Sequence, residues 1–277
     1  MSGSNYLDSK DVRIFCEIAF KGLDYDSFTD RRVSPLAIGR KLGIDEKTVR
    51  VRVKKMEDDG FIKYYQAMPS LALFQLKNMS TYRFEALNIA TKHRVIEYIQ
   101  ELPSIVEAID YLGQVVTVSI TGASPEEIDR VASRLAYRFE LNKWFLGGQI
   151  IREPISAVDR LDWQKRAIIN SQKQQGLIFY ELEISVDETK RYEVIKRLSE
   201  IYAEKLWSVR TLAAGVLLAN FFAFTLAEPE EAYVNTLKLE GVKSCSLFIF
   251  KETVEPKKPN WMDRLIEQKI ASSSKSR

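Results

Sequence analysis

Residues 34–67 read SPLAIGRKLGIDEKTVRVRVKKMEDDGFIKYYQA, and the spacing of caps, glycines and apolar positions in this stretch decides the architecture. Ser34 supplies a side-chain oxygen for the free N–H groups of a helix start, and Pro35 stands where a missing N–H costs nothing. That helix stops at Gly43. Asp45 caps a second helix after a turn of only Gly43 and Ile44, a spacing at which two helices pack steeply against each other. Gly39, having no Cβ, lets their backbones approach. Val49, Val53 and Met56 recur at i, i+4 and i+7, so they share a face that packs inward with Ile38, Leu42 and Ile44. Lys47, Arg50, Val51 and Lys54 fall on the opposite face, with Arg52 and Lys55 flanking them. From Arg31 to Lys63, ten Lys and Arg stand against five acids. The second helix ends at Gly60, and residues 61–67 are expected to follow as a two-stranded wing.

A helix, a tight turn, a basic helix and a wing form a module that reads double-stranded DNA, with the second helix in the major groove. There Arg or Lys binds guanine O6 and N7, Thr48 reaches a base or a phosphate, and Val51 touches a thymine methyl. The expected contacts are Lys47, Thr48, Arg50, Val51, Arg52, Lys54 and Lys55 on the helix, Lys63 on the wing, and Arg31 and Arg32 ahead of the module. For Arg31 and Arg32 a phosphate contact and a solvated loop stay equally open. Tyr64 and Tyr65 fit either a flanking backbone contact or packing under the wing.

A chain of 277 residues with 45% hydrophobic content has core material for two or three domains. The net charge is only +3, so nucleic-acid affinity has to come from local clustering, and the cluster is in residues 31–63. Cys16 and Cys245 fit neither a disulfide framework nor a metal-ligand spacing, which makes a reducing cytoplasm the expected compartment and no metal or cofactor the expected content. The first residues lack the apolar core of a secretion signal. Residues 212–227 carry no charge, but the run falls short of the roughly 20 residues a spanning helix needs. It reads as two buried strands around a turn, and no membrane association is expected.

An internal repeat organises the remainder. Gly113 and Gly215 each precede an apolar strand and then Pro-Glu-Glu, at Pro125-Glu126-Glu127 and Pro229-Glu230-Glu231, with a period of roughly 100 residues. Upstream of each glycine come strand, helix and strand (81–87, 91–102, 105–111; 177–184, 188–203, 207–212). Downstream come strand, helix (125–139; 229–239) and strand (143–151; 242–250). The order βαββαβ, twice, is that of the ferredoxin-like unit, an antiparallel sheet with both helices on one face. The expected fold class is α+β: an N-terminal winged helix-turn-helix (1–70), a first ferredoxin-like domain (78–154), a helical linker (155–176), a second ferredoxin-like domain (177–256), and a C-terminal helix and tail (257–277). In the linker, Leu161, Ala167 and Ile168 are expected to share one helical side. Val116, Val118 and Ile120 in one copy, and Phe222 and Phe224 in the other, are expected on the sheet face without helices. Whether those faces pair within one chain or between two stays open. One reading head per chain gives weak specificity, so a homodimer presenting two heads to a palindromic or repeated site is expected.

Leu7-Asp8, Asp11, Ile14, the run Ile38-Gly-Arg-Lys-Leu-Gly-Ile-Asp45, Val49, Arg52-Val53, Met56-Glu57, Gly60-Phe61-Ile62, Tyr65 and Ala67 resemble the leucine-responsive regulatory protein/AsnC family of prokaryotic regulators. The likeness covers about the first 70 residues. It implies a transcriptional regulator of archaeal style, in which the winged module precedes a ferredoxin-like domain for ligand sensing and assembly, and so a small-molecule effector of unknown identity. This chain departs from the family where Gly113 is followed by Gln-Val-Val and Gly215 by Val-Leu-Leu, since the family's effector hairpin carries an Asp close after its Gly.

Two other classes compete. Proteins with the same winged-helix plus ferredoxin-like arrangement decarboxylate sirohaem, using histidines; this chain has one, His93, near the start of a helix. It has no phosphate loop, serine elbow or metal cluster, and Glu126-Glu127 and Glu230-Glu231 read as helix-start charges. The expectation is therefore a protein that is not an enzyme. An architectural, chromatin-like DNA-binding role or an RNA-binding role is the alternative; for RNA, Phe221, Phe222 and Phe224 would stack on bases, against a core role for the same residues.

Overall fold

The computed structural model describes residues 7–19, 34–68, 78–150, 164–169, 176–254 and 257, with side chains at 64–68, 149, 150 and 164–169 left out. The chain forms two compact units that interleave in sequence: 1–70 with 156–249, and 71–155 with 250–277. The winged module therefore belongs to the same unit as the second ferredoxin-like domain.

In that first unit α1 (Ser9–Ala19), α2 (Pro35–Leu42) and α3 (Glu46–Asp58) precede β1 (Ile62–Met68). Ser34 Oγ accepts from the Ala37 N–H at 3.1 Å, and Asp45 accepts from Lys47 and Thr48 N–H at 2.9 and 3.3 Å. Gly43 ends α2 in the left-handed region at φ 65°, where a side chain would be strained. A Cβ on Gly39 would lie 2.4 Å from the Ile44 carbonyl oxygen, so the close approach does require glycine there. Ile38, Val49 and Met56 are buried, as are Val12, Ile14 and Phe15 of α1; Leu42, Ile44 and Val53 are half-buried. Phe15 meets Phe61 edge-on at 5.0 Å and Phe179 of the sheet at 6.4 Å between ring centroids, which ties the module to the domain beside it.

The wing differs from the sequence expectation. β1 does not fold back on itself; it pairs antiparallel with β6 (Gln164–Ile169), Tyr65 opposite Ala167 and Ala67 opposite Lys165. Residues 164–169, expected as part of a helical linker, are that strand. Ala167 and Ile168 are consecutive positions of that strand, not of a helix; Leu161 lies outside the described residues. A partner about 100 residues away overrides the weak local helical period, because ladder hydrogen bonds satisfy the backbone of both strands at once.

Both βαββαβ orders are present. The first comprises β2 (Asn78–Glu85), α4 (Ile89–Ile99), β3 (Ile105–Tyr111), β4 (Val115–Gly122), α5 (Pro125–Phe139) and β5 (Asn142–Ile150). The second comprises β7 (Ile178–Val186), a 3-10 turn (Glu188–Lys190) leading into α6 (Arg191–Ile201), β8 (Leu206–Ala213), β9 (Val216–Ala223), α7 (Ala227–Leu237) and β10 (Val242–Thr253). The strand orders are β5-β2-β4-β3 and β10-β7-β9-β8, antiparallel throughout. Phe250, Glu252 and Thr253, at the end of β10, pair with β3 in the second unit. Gly113 and Gly215 turn the β3–β4 and β8–β9 hairpins at φ 82° and 72°.

Each sheet buries one face under its two helices. Phe84, Val116, Val118 and Ile120 pack with Val95, Ile99, Ile128 and Leu135 in one core; Tyr180, Leu182, Leu217 and Phe221 pack with Val194, Leu198 and Ala232 in the other. This corrects the expectation that Val116, Val118 and Ile120 occupy the face without helices. The alternation in β4 sends those three to the helices and leaves Thr117 and Ser119 on the opposite face, where Ser119 bonds Thr81 at 3.0 Å. Phe222 does lie opposite the helix face. The acidic pairs also diverge. Glu127 does help close the start of α5, accepting from the Ala123 N–H, one residue before the N-cap, at 2.9 Å, while Ser124 Oγ accepts from the Glu127 N–H at 3.2 Å. Before α7 it is Glu228, rather than Glu230 or Glu231, that accepts from the Phe224 N–H and the Thr225 hydroxyl. Lys257 donates to Glu101 at 2.7 Å; the expected C-terminal helix beyond it, with Trp261, lies outside the described residues.

Candidate nucleic-acid interface

Helix α3 places its polar residues in two arrangements. Lys47, Thr48, Arg50, Val51, Lys54 and Lys55 are all exposed, and Val51, an apolar side chain left 61% exposed, stands among cations. Arg50 lies over Glu46 at 2.6 and 3.0 Å, and Lys54 over Asp58 at 3.1 Å, both as i, i+4 pairs within the helix. Exposed pairs of this kind are weak, so the two cations sit ready to exchange a helix carboxylate for a phosphate or a base edge. Lys47 and Lys55 have no ion pair among the described residues.

Arg52 is turned another way. Its Nη1 lies 2.8 Å from both Asp8 oxygens and 2.7 Å from Asp11 Oδ1, and its side chain is only 26% exposed. Burial pushes the Asp8 carboxyl up, but hydrogen bonds from Arg52 and from the Asp11 backbone outweigh it and hold the group below its ordinary value. Asp8 in turn holds Arg52 more firmly protonated. A depression of about 430 Å³ beside these groups is lined by Asp8, Asp11, Lys47, Thr48, Val51, Arg52 and Lys55.

Lys63 is exposed on β1. Arg31 and Arg32 lie outside the described residues, as do the side chains of Tyr64 and Tyr65. Asp8 and Asp11 were absent from the sequence-based set; the capping spacing of Asp8 and Asp11 marks a helix start, but nothing local ties it to residue 52. His93 is exposed on α4, and Phe221 and Phe222 are fully buried. Neither of these phenylalanines offers a ring to stack on a base, and Phe224, half-buried, meets Phe222 edge-on at 5.8 Å between ring centroids. Among the described residues no helix is long and apolar enough to cross a membrane.

Residues 29–63 match the family of winged helix-turn-helix DNA-binding domains. No curated protein sequence matches the chain. Among solved structures, the chain is similar to the sirohaem decarboxylase NirDL at 10% identity, covering 95% of this chain and 99% of that one, with a TM-score of 0.50. It is also similar to AsnC of E. coli (15% identity, 55% of this chain, 96% of that one, TM-score 0.30) and to LrpC of B. subtilis (24% identity, 55% and 99%, TM-score 0.29). The expectation that the chain is not an enzyme does not stand: the fold extending over nearly its whole length is one that a decarboxylase also has, and a fold hosts catalysis or recognition according to the site built on it.

Proposed function

We propose that the chain is a sequence-specific DNA-binding transcriptional regulator that inserts α3 into the major groove, with the two ferredoxin-like domains setting assembly. The observation that supports it most is the exposed α3 face: four cations, Thr48 and the solvent-facing Val51 on one short helix, following a tight turn whose caps and glycine fit a helix-turn-helix. Arg50 and Lys54 are the base or groove contacts; Lys47, Lys55 and Lys63 serve phosphates. A homodimer supplies two heads in this reading, and a small-molecule effector would act through assembly.

Fluorescence anisotropy over a salt series, with a duplex enriched from a random-sequence pool and a scrambled duplex of equal length, tests it. The expected result is a preference of about a thousandfold or more for the enriched duplex. Equal affinities with one steep salt slope would indicate architectural binding through phosphates alone. A second reading, tetrapyrrole decarboxylation, rests on the full-length likeness of fold to NirDL. Adding sirohaem to the full chain and following its absorption and carboxylate loss tests that independently.

A further inference from the structure

Arg52 shares a helix with the exposed cations but not their surroundings. The carboxylates it meets are themselves fixed in place: Asp8 Oδ1 accepts from the Asp11 N–H at 2.8 Å, and the Asp8 N–H donates to Asp11 Oδ2 at 3.2 Å. This reciprocal bonding closes the first turn of α1, and the Asp11 side chain is only 4% exposed. At the other end of the same helix Glu17, also largely buried, pairs with Lys41 of α2 at 3.1 Å. Both helices of the reading pair are thus tied by an ion pair to one strut, α1. Moving Arg52 to a phosphate would strand the Asp11 carboxylate without its partner in a dry position, a costly exchange. Arg50 and Lys54 have no such obligation.

We infer that Arg52 is a positioning residue for DNA recognition: through Asp8 and Asp11 it fixes the angle of α3 against α1, and it does not itself contact DNA. The inference rests on the DNA-binding reading above. All three contacts run through Nη1, the tip of a planar guanidinium on a long stem; the shorter lysine, with a compact ammonium, holds two carboxylates less rigidly. Lys47 and Lys55, exposed on the same depression, remain to meet the phosphates.

The decisive comparison measures binding of the full chain and its Arg52→Gln, Arg52→Lys, Asp11→Asn, Asp8→Asn and Lys55→Gln variants to the enriched and scrambled duplexes over a salt series. A positioning role lowers affinity for the enriched duplex about tenfold or more in Arg52→Gln and Asp11→Asn, as loss of a base contact would, while affinity for the scrambled duplex and the salt slope hold. Lys55→Gln, by contrast, lowers the slope by about 0.9. Asp11→Asn is the sharpest arm. Removing an acid near DNA tightens binding if charge alone matters, so weaker specific binding supports the brace and tighter binding on both duplexes overturns it. A reduced slope in Arg52→Gln, with full rescue by Arg52→Lys, also overturns it.

Amide hydrogen exchange without DNA separates the two readings. Faster exchange in α3 in both Arg52→Gln and Asp8→Asn, the latter altering a half-exposed group that leaves the core intact, supports the brace, and unchanged protection overturns it. Failure of the unaltered chain to bind any duplex overturns the DNA reading and the recognition role of Arg52 with it, while the exchange result still decides whether the brace exists.

Discussion

The two βαββαβ sheets have the same strand order and bury the same kind of aliphatic and aromatic face under their helices, yet they place polar groups differently. The first holds a buried ion cluster: Asp110, fully buried, lies 2.7 Å from Lys92 Nζ and 2.8 Å from Lys251 Nζ, and Lys92 also donates to the Tyr111 carbonyl at 2.7 Å. The core of the second is built round a ring cluster. Phe221 stacks on Tyr180 at 5.1 Å and meets Tyr202 edge-on at 5.4 Å. Topology follows from the alternating pattern and the connections, which the two share. The polar interior is a local solution, free to differ so long as each buried group finds a partner.

That contrast is open to attack from either side. The largest effects fall on the two centres. Asp110→Ala leaves Lys92 buried and unpaired, and a loss of about 3–5 kcal/mol is expected; Phe221→Ala opens a cavity between Tyr180 and Tyr202 at a similar cost of about 3–5 kcal/mol. Hydrogen exchange assigned to each unit should show the first variant loosening 71–155 and the second loosening 176–249. If either variant loosened both units equally, the two cores could not be treated as separate solutions. Next in size is Gly39→Ala, whose Cβ collides with the Ile44 carbonyl and costs about 1–3 kcal/mol, read as a lower denaturation midpoint of the winged module. Smallest is the comparison of helix starts. Ser124→Ala removes the side-chain cap of α5 for about 1 kcal/mol, while Thr225→Ala is expected to cost less, because Glu228 still accepts from the Phe224 N–H; equal losses would show that Thr225 is the cap.

Much of the fold was legible because it is written in short-range signals. Ser34, Gly43 and Asp45 mark their helix ends through bonds spanning two to four residues, and Pro125–Phe139 begins at a proline after a capping serine. The candidate site was legible to the same depth. Exposure of Lys47, Arg50, Val51 and Lys54 follows from the helical period once Val49 and Met56 are placed inward. What remained hidden depends on residues distant in sequence. Within residues 46–58 the helical period puts Arg50 on the outer face beside Glu46 and Arg52 only at its flank; that Arg52 reaches Asp11 of α1 and Asp8 just ahead of it is not written there.

By itself, then, the sequence determined the helix-turn-helix, the twofold βαββαβ order and the basic face of α3, since caps, turns and periodicity act over a few residues. Tertiary structure decided that 164–169 is a strand completing β1, that Val116, Val118 and Ile120 face the helices, that Asp110 gathers two lysines, and that Arg52 faces α1. Each of these is a choice between conformations or partners that local energetics leaves nearly balanced, and burial and pairing with a distant segment tip it.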